Sequence, residues 1–143
     1  MKHLEQITAA VEAGRAGDRE SARNQLARLW DTADDRRTRC AIAHYLADVQ
    51  DDTEDELVWD LRALEEVDPA DAGMLPSLYL NLADDYRRLG DAARAEEHLS
   101  ASRARLDLLA DDAYGDVIRG GVDHVAAALA AGSTRRLETN PST

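Results

Sequence analysis

Apolar residues in this chain recur at three- and four-residue steps, the spacing that stacks side chains along one face of an α-helix. The pattern is clearest from Leu75 to Leu109. There Leu75, Leu78, Tyr79, Leu82, Tyr86 and Leu89 form one stripe, and Ala92, Ala95, Leu99, Ser102, Leu106 and Leu109 form a second. Leu89-Gly90-Asp91 separates them. Gly90 suits the left-handed residue that closes a helix, and Asp91 can cap the next. Runs of alternating Val, Ile and Thr bounded by turns, the signature of strands, are missing. The spacing predicts an all-α protein.

The same punctuation occurs earlier. Leu4, Ile7, Ala10 and Val11 mark a helix over Lys2–Ala16, and Gly14 to Asp18 make a second Gly-Asp turn. A helix from about Arg19 to Thr32 follows, carrying Ala22, Leu26, Leu29 and Trp30 on one side. Ala22 and Leu26 stand five and nine residues after Gly17, as Ala95 and Leu99 stand after Gly90. That correspondence points to copies of one helix-turn-helix unit. Asp34 or Asp35 caps a third helix running to Val49, with Ile42, Tyr45, Leu46 and Val49 inward. Asp52 or Thr53 caps a fourth, which groups Leu57, Leu61 and Leu64, flanks them with Val58 and Val67, and ends at Asp68-Pro69. Trp59 falls opposite that group. It either covers a neighbouring helix or stands exposed as an anchor for a partner.

A last helix is predicted over Ala113–Ala131, with Val117, Ile118, Val122, Val125 and Leu129 on one face. Gly120-Gly121 inside it costs about 1 kcal/mol per glycine against alanine. Backbone or a bulky side chain is therefore expected to approach closely there. From Gly132 the composition turns to Gly, Ser, Thr, Asn and Pro, which predicts a disordered tail over 132–143.

The Leu75–Leu109 pair resembles a tetratricopeptide repeat (TPR). With Gly90-Asp91 on the inter-helix Gly-Asp, Tyr79 falls on the family's aromatic in the first helix. Leu82, Ala83 and Tyr86 fall on its Leu-Gly/Ala-Tyr positions, and Ala95 and Leu99 on the Ala and large apolar residue of the second helix. Ser102 departs from the second small position, and no proline closes the pair. The resemblance implies an α-solenoid of about three TPR-like hairpins over residues 1–131, with the seventh helix as a cap.

It also implies a concave groove that holds a peptide or partner helix. Its groove-facing positions are Ser77, Leu80, Asn81, Asp84, Arg87 and Arg88, with Cys40, His44, Ala47 and Asp48 from the second repeat. Asn81 matches a position where asparagine often hydrogen-bonds the ligand backbone. Arg87 and Arg88 would pair with a ligand carboxylate, for which the guanidinium fork is suited, or simply solvate a helix end.

Composition narrows the function classes. The 143 residues are 44% apolar but contain no phenylalanine, so alanine and leucine must build a closely packed helical core. A net charge of −12 argues against nucleic acid and anionic membranes, because phosphate affinity needs clustered Lys and Arg. The chain begins in a charged amphipathic pattern, and no apolar run approaches the roughly 20 residues that span a bilayer. A cytoplasmic protein is expected. The single cysteine excludes an internal disulfide.

Cys40, His44 and Asp48 lie at i, i+4 and i+8 on one helical face. They supply nucleophile, base and ligand types, but residues along one straight helix do not converge as catalysis requires. Phosphate loops, paired-cysteine motifs and nucleophile elbows are missing. The expectation is a non-catalytic binding module, a scaffold or adaptor, with no cofactor or metal. The alternatives are a self-associating structural subunit, a homodimer through apolar edges and Trp59, and a small enzyme or metal protein using Cys40, His44 and Asp48.

Overall fold

The computed structural model describes residues 3–142; the expected helix start at Lys2 and the last tail residue, Thr143, lie outside them. Among the described residues there are seven α-helices and no strand. The chain divides into two compact units, Met1–Asp68 and Pro69–Thr143, where the sequence predicts one domain over 1–131.

The first unit contains α1 (Leu4–Arg15), α2 (Arg19–Thr32), α3 (Arg36–Asp48) and α4 (Thr53–Glu66), each packed on the next. Short polar turns join them. Gly17 takes φ +98° in the first turn, a conformation that L side chains resist. Asp18 then accepts a hydrogen bond from the Ser21 amide at 3.2 Å. Asp35, not Asp34, caps α3, accepting from the Thr38 amide at 3.0 Å, and Asp52 caps α4 through the Glu54 amide at 2.9 Å. Each such cap contributes about 0.5–2 kcal/mol. Ile7, Ala10, Ala22, Leu26, Ile42 and Leu46 form the buried core between these helices.

In α4 the inward face differs from the expected one. Leu61 is 40% and Val58 43% exposed, whereas Ala63 is fully buried. The side that α4 buries carries Glu56, Asp60 and Ala63, and Trp59 lies half-buried. Its ring packs edge-on against Trp30 of α2, with ring centroids 5.1 Å apart. Trp59 thus covers a neighbouring helix.

Arginines tie the helix ends of this unit together. Arg19 donates to the Gln50 carbonyl and Arg23 to the Val49 carbonyl, both at the C-terminus of α3. Arg39 donates to the Trp30 and Ala33 carbonyls at the end of α2 while its guanidinium lies 3.7 Å from the Trp30 ring centroid. Arg36 reaches the Glu65 and Val67 carbonyls at the end of α4. These ends carry unpaired carbonyls and the negative pole of the helix dipole. A planar fork that binds two carbonyls or stacks on an indole is a use that lysine does not share. Arg19 and Arg23 also grip Asp51, and the Arg19 hydrogen bond, with the Arg23 charge beside it, holds that carboxyl below its usual range.

The second unit opens with a short 3-10 stretch, Pro69–Met74, and continues with α5 (Leu75–Arg88), α6 (Ala92–Arg103) and α7 (Ala113–Ala130). Gly90 has φ +81°, and Asp91 accepts from the Arg94 amide at 3.0 Å, as the Gly-Asp reading predicts. Ala95 and Leu99 are buried, and so are their counterparts Ala22 and Leu26. The internal repeat is thus also a repeat of burial. Ser102 is fully buried; its hydroxyl donates to the Pro76 carbonyl at 2.8 Å, which gives this departure from a small apolar residue a role in joining α5 to α6. The α6 helix ends at Arg103, short of Leu109, and a 3-10 turn at Leu106–Leu108 follows. Leu80, Ala83, Leu99, Ile118, Val122 and Val125 build the core of this unit.

Residues 133–142, expected as a disordered tail, lie as a strap against this unit. Leu137 packs on the core, Pro141 is buried, and the Ser133 carbonyl accepts from Arg87 at 2.8 Å. The strap explains one of the paired glycines. A Cβ on Gly121 would overlap the Pro141 carbonyl and lie 2.9 Å from Leu80 Cδ2. Gly120, by contrast, faces open space. Gly120→Ala is therefore expected to stabilise the protein by about 0.5–1 kcal/mol through helix propensity and a stiffer unfolded chain, read as a rise in the urea midpoint.

Candidate functional site

The α5 helix carries the densest set of predicted site residues, and nearly every one is buried. One side presents Leu78 and Leu82, which are fully or almost fully buried, with Tyr79 and Tyr86 turned to His98 of α6. A second side presents Leu80 and Ala83 to the core that α7 supplies. Leu80, read from the sequence as groove-facing, is thus a fully buried core residue. The period of 3.6 residues places it one step round from Ser77 and Asp84 and over α7.

The remaining side is polar. Ser77 is 3% exposed and donates its hydroxyl to the Met74 carbonyl at 2.9 Å, finishing the first turn of α5. Asp84, at 3% exposure, takes two arginines. Its Oδ1 accepts from Arg87 Nη2 at 2.8 Å and Nε at 3.1 Å, and its Oδ2 from Arg88 Nε at 3.1 Å. Arg88 also donates to Asp85 at 3.0 Å. Two aspartates and two arginines within one helical turn and a half thus neutralise one another. The arginines expected to receive a ligand carboxylate are already held by carboxylates of their own helix. Charge-assisted bonds of this kind are short, strong and costly to break when buried.

Asn81 differs from its neighbours. It is 5% exposed, and neither its Oδ1 nor its Nδ2 has a hydrogen-bond partner among the described residues. An amide left so costs about 1–3 kcal/mol, and most buried polar groups in folded proteins avoid that cost. One donor and one acceptor side by side match the C=O and N–H of an extended main chain.

In the first unit, Cys40, His44, Ala47 and Asp48 lie on α3. Cys40 and Ala47 are 2% and 1% exposed, whereas His44 and Asp48 are half-buried. Cys40 and Ala47, read from the sequence as groove-facing, lie on a helix that is buried over much of its circumference, Thr38 and Ala43 included. His44 sits beside the Tyr45 ring at 5.3 Å, and its buried Nδ1 has no partner among the described residues.

The strap is the part of the site that the sequence pattern did not reveal. Its composition reads as a tail, and the one local sign was the cost of Gly121 within a helix. Beside it, Asp116, Val117, Gly120, His124, Thr139 and Asn140 border an open cavity of about 350 Å³. Among the described residues no helix is long and apolar enough to cross a membrane. Comparison with known proteins yields no relative: no family model, no curated protein and no solved structure matches the chain.

Proposed function

We propose that this protein is a cytoplasmic, non-catalytic interaction module of TPR-like helical hairpins, and that α5 carries its peptide contact at Asn81. The observation that carries the reading is Asn81, buried with its amide unpaired. A ligand main chain would satisfy both amide atoms, which is the role the TPR resemblance gives to this position. The matched burial of Ala22 and Leu26 with Ala95 and Leu99 supports a scaffold of repeated hairpins. In this reading the Asp84–Arg87–Arg88 set keeps the face rigid and shapes it, rather than meeting a ligand carboxylate.

The test is capture from the native lysate by wild type and by Asn81→Leu, both checked for folding by circular dichroism. A protein retained by wild type and lost by the folded variant is the expected result. Retention of the same proteins by both would remove Asn81 from the interface.

Self-association is the second reading, favoured by Val58 and Leu61, which leave an apolar patch on α4. Trp59 has less to offer that reading, since its ring is engaged with Trp30 and Arg62. Equilibrium sedimentation of Leu61→Glu beside wild type separates the two: a dimer lost in the variant belongs to the second reading alone.

A further inference from the structure

The strap has the contacts of a bound peptide. Each of its anchors uses a feature that recognises extended segments in general. The buried Arg87, itself oriented by Asp84, donates Nη1 to the Ser133 main-chain carbonyl at 2.8 Å. Leu137 inserts its side chain against the apolar core of Leu80, Ile118 and Val122. Four residues later the Pro141 carbonyl sits in the notch that Gly121 leaves in α7, a notch that any Cβ would fill. Asn140 fixes the turn there by accepting from the Ser142 amide and hydroxyl, each at 2.9 Å. Gly132, at φ +69°, separates the strap from the end of α7.

We infer that the α5/α7 surface is a peptide-binding site held in cis by residues 133–142, and that a basic segment of another protein with the pattern Leu-x-x-x-Pro displaces it. This surface is the α7 side of α5, distinct from the side that carries Asn81.

Two observations give the partner its chemistry. The strap is locally cationic, with Arg135 and Arg136 against Glu138, in a chain whose net charge is −12. A second copy of the whole chain would bring the same negative charge, whereas a basic segment is attracted. The strap also leaves its site incompletely filled, because a cavity of about 350 Å³ stays open between Thr139, Asn140 and the Asp116–His124 side of α7. A ligand with a larger side chain at the Thr139 position would gain contacts that the strap lacks. A tethered segment competes at an effective concentration in the millimolar range, so an external ligand needs such a gain or a weakened strap.

The competition sets the test. A fluorescent peptide spanning residues 132–142 is titrated into four full-length proteins: wild type, Leu137→Ala, Asn140→Ala and Gly121→Ala. Folding is followed by far-ultraviolet circular dichroism. Leu137→Ala weakens the strap and leaves its site intact, so the peptide is expected to bind at least tenfold more tightly than to wild type. Asn140→Ala, a milder change outside the core, is expected to move binding in the same direction and serves if Leu137→Ala does not fold. Gly121→Ala fills the notch, so binding is expected to be lost although the helix gains propensity. Equal binding to wild type and both weakened straps, or undiminished binding to Gly121→Ala, would overturn the inference. So would the absence of binding to a folded weakened-strap variant. None of these outcomes involves the Asn81 side of α5, so the lysate capture can succeed where this titration fails.

Discussion

Asp84→Asn is expected to destabilise the Pro69–Thr143 unit by about 3–5 kcal/mol, read from urea unfolding followed by circular dichroism. The side chain keeps its size and loses its charge. Arg87, 2% exposed, then remains a buried cation without its carboxylate, and Arg88 loses one of its bonds. The protein–water hydrogen bonds given up on folding are not recovered, which makes breaking such a pair dearer than never having formed it. The strap should loosen as well, because Asp84 orients the guanidinium that holds the Ser133 carbonyl. Replacing both partners, as in Asp84→Leu with Arg87→Met, is expected to restore most of the loss. A cost below about 1 kcal/mol for the single variant would mean that the pair is solvated and adds little.

Leu26→Ala and Leu99→Ala are each expected to cost about 2–5 kcal/mol, since both side chains are essentially buried and leave cavities. The first is read by tryptophan fluorescence, because Trp30 and Trp59 both lie in the Met1–Asp68 unit. The second is read by circular dichroism. Leu61→Ala provides the contrast. Helical spacing groups Leu61 with the core of α4, yet at 40% exposure its loss should stay within about 0.5 kcal/mol. If Leu61→Ala cost as much as Leu26→Ala, the inward face of α4 would be the leucine side after all.

These residues also mark how far the sequence can be read. Turns and caps were legible because their chemistry is local: Gly17, Gly90, Asp18 and Asp91 act within three or four residues of themselves. The paired Ala and Leu positions were legible because repetition doubles a weak signal. The face of α4 was not, since the side it buries carries Glu56 and Asp60 beside Ala63, and apolar spacing does not select acidic residues. On α5 the pairing of Asp84 with both arginines is a matter of rotamers, which spacing does not specify. The strap was least legible. Ser133, Leu137 and Pro141 have no periodicity, and only the glycine opposite Pro141 hinted at their presence.

Asn81 decides between a structural asparagine and one reserved for a ligand, and thermal unfolding of Asn81→Leu measures the difference directly. Leucine replaces an unpaired buried amide with a side chain of similar size, which relieves an uncompensated desolvation of about 1–3 kcal/mol. The account predicts a variant more stable than wild type, the usual relation where a residue is kept for binding. A variant less stable than wild type would mean that the Asn81 amide is bonded in the folded protein, and the peptide-binding reading of α5 would lose the observation that carries it.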